Sequence, residues 1–188
     1  MHIFIFLALM IFSPAVMAQD KTTSIEVSAD DALQWDRANQ SFTASGNALI
    51  KQGADSISAP EIIAKYSDAS GDIVIQSVNA KNNAVLKQTD NTLSAKTINA
   101  DFKDGVLSTV TASDNVILVT PKEKLTGNNA NYDAIGHKVI VTGNVKIVQG
   151  DNILTGNKAE FDLKTNVSKL SSNGGRVKAV LSTKNAKK

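Results

Sequence analysis

Four short apolar stretches, each carrying an asparagine, recur along the chain: Gly46-Asn47-Ala48-Leu49-Ile50, Asn82-Asn83-Ala84-Val85-Leu86, Asp114-Asn115-Val116-Ile117-Leu118 and Gly143-Asn144-Val145-Lys146-Ile147. Counted from Asn47, Asn83, Asn115 and Asn144 as zero, apolar residues occupy position −5 (Phe42, Val78, Val110, Val139) and position −3 (Ala44, Ala80, Ala112, Val141). They also occupy position +1 (Ala48, Ala84, Val116, Val145) and position +3 (Ile50, Leu86, Leu118, Ile147). The positions between are mixed, as Thr43, Asn79, Thr111 and Ile140 show. Side chains of a strand alternate between its two faces, so this rhythm of two predicts strands with one buried face.

The rhythm resumes downstream on even positions. Position +10 is Ile57, Leu93, Leu125 and Leu154, and position +12 is the small Ala59, Ala95, Gly127 and Gly156. The parity then changes: +15 is Ile62, Ile98, Ala130 and Ala159, and +17 is Ala64, Ala100, Tyr132 and Phe161. A change of parity requires one extra residue, which predicts a bulge or corner, and Pro60 stands at that point in the first copy. The four Asn are 36, 32 and 29 residues apart, with the differences assigned to loops such as residues 68–72. Two half-copies flank the series, Ile25–Ala29 before it and Gly175–Val180 after it, with Arg176 in the Asn position. No amphipathic helical pattern interrupts them. The expectation is an all-β fold of short antiparallel strands wound into six to eight stacked layers, roughly 30–40 Å long.

The first 18 residues stand apart from this pattern. Ile3 to Ile11 is an apolar run followed by Pro14 and Ala15, and Val16-Met17-Ala18 places small residues for cleavage before Gln19. The run is shorter than the ~20 apolar residues of a membrane span. Residues 1–18 are therefore read as an export signal, 19–181 as one domain and 182–188 as a basic, solvated tail with Lys184, Lys187 and Lys188. The chain has no cysteine, which excludes disulfides and a lipid-modified amino-terminal cysteine, and its net charge of +2 is too even for an electrostatic nucleic-acid binder.

Catalytic chemistry has little to draw on. The one histidine after the signal, His137, lies in the turn-like Ile135-Gly136-His137-Lys138, and no Ser-His-Asp or thiol arrangement accompanies it. Asp101, Asp133 and Asp162 share position +18, but Lys65 stands there in the first copy, and they read as solvent-facing turn residues. Metal catalysis needs clustered ligands, and Gly174-Gly175 alone does not make a phosphate loop. The chain reads as a non-enzyme without cofactor or metal. Its apolar face carries many Ala and Gly, which leaves two alternatives. Either the sheets approach closely into a thin packed sandwich or β-helix, or a trough remains for an apolar occupant.

The ordered series Ile25-x-Val27-x-Ala29-Asp30, Phe42-Thr43-Ala44-Ser45-Gly46-Asn47-Ala48, Ile50-x-Gln52-Gly53, Val141-Thr142-Gly143-Asn144-Val145 and Gly174-Gly175-Arg176-Val177-x-x-Val180-Leu181 resembles the OstA-like family over about Ser24–Leu181. Asn82, Asp114 and Arg176 depart from the family's Gly-Asn wording, while the apolar frame around them holds. The resemblance implies a twisted β-jellyroll, open along one side, whose interior carries the acyl chains of lipopolysaccharide through the periplasm. It implies head-to-tail self-association and two partners, an LptC-like inner-membrane protein and the periplasmic domain of an LptD-like outer-membrane protein. By resemblance Ile25, Val27, Leu86 and Phe102 line the lipid path. The full candidate set on the apolar face adds Phe42, Ala44, Ala48, Ile50, Ile57, Val78, Leu93, Ile98, Val110, Val116, Leu118, Leu125, Tyr132, Val145, Ile147, Leu154 and Phe161. The assembly edges are assigned to Ile25 and Val27 at one end and Val177 and Val180 at the other. Other readings are a subunit of the same pathway that keeps its amino-terminal segment in the inner membrane, a structural or carbohydrate-binding β-solenoid, and a polysaccharide lyase. The last would need acidic and basic side chains clustered in one cleft.

Overall fold

A corner repeated in every long strand organises the structure, a computed structural model that describes residues 25–69 and 72–182. The expected signal segment and the tail beyond Ser182 lie outside the described residues. Twelve strands form: β1 (Ile25–Ser28), β2 (Ala32–Asp36), β3 (Ser41–Gln52), β4 (Asp55–Ala69), β5 (Asp72–Gln88) and β6 (Asn91–Lys103). They continue with β7 (Val106–Val119), β8 (Lys124–Asp133), β9 (Lys138–Gln149), β10 (Asn152–Asp162), β11 (Val167–Ser171) and β12 (Lys178–Val180). All belong to one antiparallel sheet in the order β1-β3-β4-β5-β6-β7-β8-β9-β10-β11, with β2 also on β3 and β12 also on β10. The described residues contain no helix.

The sheet does not close. Its first rung is split into β1, opposite Leu49–Gln52, and β2, opposite Ser41–Ser45. Its last rung is split likewise into β12, opposite Ile153–Thr155, and β11, opposite Lys158–Asp162. Eight long strands lie between, which exceeds the expected six to eight layers once the end rungs are included. At ~4.8 Å per strand the stack spans roughly 45 Å.

The Asn motif is itself a corner, which corrects the reading of it as uninterrupted strand. Two successive residues have positive φ in each copy: Gly46 and Asn47 (78° and 46°), Asn82 and Asn83 (66° and 71°), Asp114 and Asn115 (64° and 57°), Gly143 and Asn144 (79° and 50°). Asn, Asp and Gly are the residues that enter this left-handed region at least cost. The pairing skips there: Ser45 faces Glu61 and Ala48 faces Ala59, so Gly46-Asn47 oppose only Pro60. Lys96, Asn128 and Asn157 take the place of Pro60 in the later copies. Two residues inserted on the Asn strand against one on the return strand explain why only the return strand changes parity in the sequence. An insertion of two is invisible to a period of two.

The corner divides each long strand between two arms. Arm I carries residues 48–59, 84–95, 116–127 and 145–156, with β1 and β12 at its ends. Arm II carries 41–45, 61–69, 72–81, 97–113, 129–142 and 158–171, with β2 and β11 at its ends. Both inner faces are apolar, and beside the corner both are fully buried, with Ala48, Ala80, Ala84 and Ile98 at 0% exposure. The described residues supply no third layer, so the arms cover each other. A Cβ on Gly127 of arm I would come within 2.5 Å of Val141 Cγ1 on arm II, and one on Gly156 within 2.9 Å of Leu170 Cγ. Glycine at position +12 is thus required by close approach of the arms, and alanine fills that position in the earlier copies.

If backbone conformation is what the motif Asn supplies, Asn144→Gly should leave stability nearly unchanged. Asn144→Ala should cost about 1–2 kcal/mol, the penalty of a left-handed alanine. Denaturant unfolding of the two variants separates this from a side-chain role, for which both substitutions would cost alike.

Candidate functional site

Moving away from the corner, side chains on the inner faces grow. The corner row is mostly small, with Ala44, Ala48, Ala59, Ala80, Ala84, Ala95 and Ala112 beside the fully buried Ile62, Ile98, Val116, Val141 and Val145, and it gives way on arm I to Ile50, Ile57, Leu86, Leu93, Leu118, Leu125, Ile147 and Leu154. On arm II it gives way to Phe42, Val78, Val110, Tyr132, Val139 and Phe161. A wedge demands this gradation, because the gap between two hinged arms widens with distance from the hinge and larger groups are needed to span it.

The proposed lipid-lining residues fall on this inner surface, and all but Ile25, Val27, Phe42 and Phe102 belong to two contiguous clusters joined through Leu93, Val110 and Ala130. Ala44, Ala48, Ile57, Ile98 and Val116 are buried in the first, and Leu118, Leu125, Tyr132, Val145, Ile147 and Phe161 in the second. Phe42, Ile50, Val78, Leu86, Leu93, Phe102, Val110 and Leu154 are half-buried. The wedge is therefore tight at the corner and along β7–β10, and looser away from the corner along β3–β6. Two surface hollows are present as well. One is lined by Lys96, Asp114, Asn115, Asn128 and Asn129 on the outer side of the corner, and one runs along β9–β11 beside Phe161.

Among the described residues, both ends of the strip are uncovered. Val27 faces Ile50 and so shares the inner face with Ile25, while Leu33 and Trp35 face Ala44 and Phe42 on the other half of the first rung. All four are exposed, Trp35 at 48%. At the far end Ala179 faces Leu154 on the inner side, Val180 faces Ile153 on the outer side, and the exposed Val177 and Leu181 flank the strand. Val177 precedes β12 rather than belonging to it.

Two features of the inner surface were not read from the sequence. The first is an aromatic group at the amino-terminal end. Trp35 stacks on Phe42 (5.0 Å between centroids), Phe42 lies against Tyr66 (5.1 Å), Trp35 Nε1 donates to Tyr66 Oη (2.6 Å), and Arg37 covers the Trp35 ring at 4.4 Å. The second is a polar row at the outer limit of arm I. Four two-residue turns join its strands, and the residues flanking each turn are Gln52 and Asp55, Gln88 and Asn91, Thr120 and Glu123, Gln149 and Asn152. These occupy positions +5 and +8, which continue the inward parity of +3 and +10, so the repeat carried the signal. On arm II the corresponding limit is apolar, with Tyr66 opposite Ile75 and Phe102 opposite Leu107.

Glu123 is the anomaly of the polar row. It is only 5% exposed, and neither carboxylate oxygen has a hydrogen-bond partner. Burial pushes its carboxyl above the ordinary glutamate range. Tyr132, 4% exposed with an unpartnered hydroxyl, is pushed up to about 12 by burial, with the Asp133 charge adding to the effect.

The acidic residues at position +18 serve the outer face and the turns. Asp133 accepts from the Ile135 and Gly136 backbone N–H groups, Asp162 from those of Lys164 and Thr165, and Asp101 from Thr109 Oγ1. His137 is half-buried in a left-handed turn position, and its carbonyl accepts from the Leu163 N–H. The described residues hold no group of metal-ligating side chains.

A carboxyl whose pKa is raised by folding binds more protons in the native than in the unfolded state. Its stabilising contribution is present below its unfolded value near 4.5 and is lost as pH rises through the folded value. Thermal unfolding should thus show the wild type falling progressively below Glu123→Gln as pH climbs from about 4.5 to neutrality. Parallel curves would remove the burial argument. Tyr132→Phe should unfold at the same temperature or higher, by up to about 1 kcal/mol, because no hydrogen bond is lost with the hydroxyl.

The profile of the family described as LptA/(LptD N-terminal domain) LPS transport protein matches residues 26–167 and 124–187. No curated protein matches the chain. Among solved structures the chain is similar to LptH, the LptA-homologous periplasmic component of the lipopolysaccharide transport device of Pseudomonas aeruginosa. The two share 17% identity over 87% of this chain and 99% of that one, with a TM-score of 0.39. With the family profile spanning nearly all of the described sheet, the chain belongs to the LptA/LptD amino-terminal-domain family of lipopolysaccharide-transport proteins, a family of transport components rather than enzymes.

Proposed function

We propose that the chain is a periplasmic carrier of lipopolysaccharide that holds the lipid A acyl chains between its two arms and joins other jellyrolls end to end. It would thereby bridge the inner and outer membranes. In this reading residues 1–18 direct export, and mature chains start at Gln19. The observation that carries the proposal is an inner apolar strip that runs the length of an unclosed sheet and stays uncovered at both ends.

Burying a methylene is worth ~0.8 kcal/mol, so one chain of about 12 carbons represents about 10 kcal/mol of gross burial. That energy forbids rapid passage through water but does not oppose sliding. Each rung presents similar aliphatic side chains, so the buried area of a moving chain stays nearly constant. Loading requires the arms to part where the wedge is loosest, along β3–β6, with the small-residue corner as the hinge line. In this reading Leu86, Leu93 and Phe102 are exchangeable contacts, and the buried row at the corner is structural.

Assembly follows from the split end rungs. Among the described residues neither has a partner on its outer edge, and pairing the last rung of one molecule with the first of the next is β-augmentation. The joint is heterologous and does not close on itself, so it propagates. It would also join the strips, covering Ile25, Val27, Leu33 and Trp35 with Val177, Ala179 and Leu181. LptC-like and LptD-like partners of the same fold would meet the two ends, and the chain would carry lipid from the inner to the outer membrane.

Leu86→Asp and Phe102→Asp should each lower co-purified lipopolysaccharide at least tenfold while leaving the circular dichroism spectrum unchanged. Undiminished loading of Leu86→Asp would sink the assignment of the strip. Val27→Asp places a charge in the joint without touching the middle of the strip. Light scattering should show it confined to small species at concentrations where the wild type forms long ones, and equal growth would rule out the end-to-end joint.

A further inference from the structure

The two outer limits of the wedge differ in kind, and an amphiphile would experience that difference. Along β4–β7 arm II is apolar to its edge, where Tyr66 faces Ile75 and Phe102 faces Leu107. Arm I is apolar as far as the row of Leu86, Leu118 and Leu125 and then turns polar, two residues further on, at the turn-flanking pairs. A ligand with a hydrocarbon tail and a polar head is matched in one orientation only, tail toward the corner and head over arm I.

Glu123 gives this polarity a chemical requirement. Its neighbours in the row are Thr120, whose backbone N–H donates to the Glu123 carbonyl at 2.9 Å, and Gln149, one step beyond the facing pair Lys124 and Val148. Thr120 Oγ1 accepts from the Glu123 backbone N–H at 3.1 Å and lies 3.3 Å from its carbonyl, so the hydroxyl serves the turn and leaves the carboxylate alone. A buried acceptor left without a donor is destabilising, more so if charged. Leucine at this position would relieve that cost and extend the aliphatic row. A buried acceptor without a protein donor fits a site whose donor arrives with the ligand.

We infer that the polar row of arm I is a head-orienting subsite, in which Glu123 accepts a hydrogen bond from a hydroxyl or amide N–H near the head end of an acyl chain. The inference rests on the acyl-carrying strip proposed above. It adds an orientation for the ligand and a chemical preference, for chains bearing a donor close to their polar linkage over plain chains. Half-buried Gln88 and Gln149 supply further donors and acceptors along the same row, so the preference is available at successive rungs.

Two neutral probes differing by one hydroxyl test it: methyl dodecanoate and methyl 3-hydroxydodecanoate, titrated against the full mature chain by calorimetry or by fluorescence of the single Trp35. The wild type should bind the hydroxylated ester about tenfold more tightly, the scale of one well-made hydrogen bond to a buried charged group. Glu123→Leu should bind both esters within about twofold of each other, at the wild-type affinity for the plain one. Glu123→Gln, which keeps an acceptor oxygen, should retain part of the preference. An unfolding midpoint of Glu123→Leu at or above that of the wild type shows that it folds, and Glu123→Met, closer in volume, replaces it otherwise. A hydroxyl preference that survives both apolar substitutions, or a wild type without preference, overturns the subsite and leaves the strip standing. Failure of the wild type to bind either ester overturns the strip, and the subsite with it.

Discussion

Everything in this fold depends on one backbone constraint, two successive left-handed residues at the same place in every second strand. Left-handed φ is costly for most side chains, and Asn, Asp and Gly carry it at Asn47, Asn83, Asn115 and Asn144 and at the residue before each. Because the corners are in register from rung to rung, a single sheet is creased along a line and its halves face each other. Without the crease the inner faces would have nothing to pack against, since the described chain contributes no second sheet and no helix. The packing follows from it: alanine and glycine where the arms meet, leucine and isoleucine where they diverge, and Gly127 where Val141 leaves no room for a methyl group.

Much of this was legible in the sequence, for reasons that also explain what was not. The strand rhythm, the repeat and the inner face were readable because burial on one side writes a period of two, and every residue taken as inward for that reason lies on the inner face. The return-strand corner was readable at Pro60 because one inserted residue reverses the parity. The Asn-strand corner was not, because two inserted residues restore it. Even insertions are silent in such a pattern and must be sought in residue type, here the pairing of Asn with Gly, Asn or Asp. The polar row was missed for a different reason. Attention to apolar positions ends where they end, although Gln52, Gln88, Thr120 and Gln149 continue the same parity at +5. Trp35 and Leu33 were missed because the first rung belongs to no complete repeat. Only its register with Phe42 and Ala44 identifies its face.

The same physics separates what the interior does near the corner from what it does far from it. Close to the crease a fully buried layer of alanine, valine and isoleucine leaves no space, so that layer stabilises the fold. Further out, half-buried leucine, valine and phenylalanine make contacts that another hydrocarbon could replace at little cost, because one aliphatic surface substitutes for another without directional bonds. In the proposed carrier, stability and cargo would thus be handled by one continuous apolar surface, divided by distance from the hinge and not by separate domains. The tighter packing along β7–β10 and the looser packing along β3–β6 divide it a second time, along the length.

An unfinished sheet is ordinarily a hazard, and proteins blunt their edges with charges, prolines or bulges. Here each end is a rung broken in two, short on both halves, with apolar side chains facing inward and left uncovered. Splitting the rung makes the edge follow the crease, so that the exposed hydrogen-bonding groups are offered at the angle between the arms. Only a partner creased in the same way could pair with both halves at once. A flat strand could satisfy one half and would leave the other unpaired. In the proposed assembly, the crease that builds the interior would also limit what can extend it, and selectivity for partners of the same fold would need no further device than the geometry of the corner.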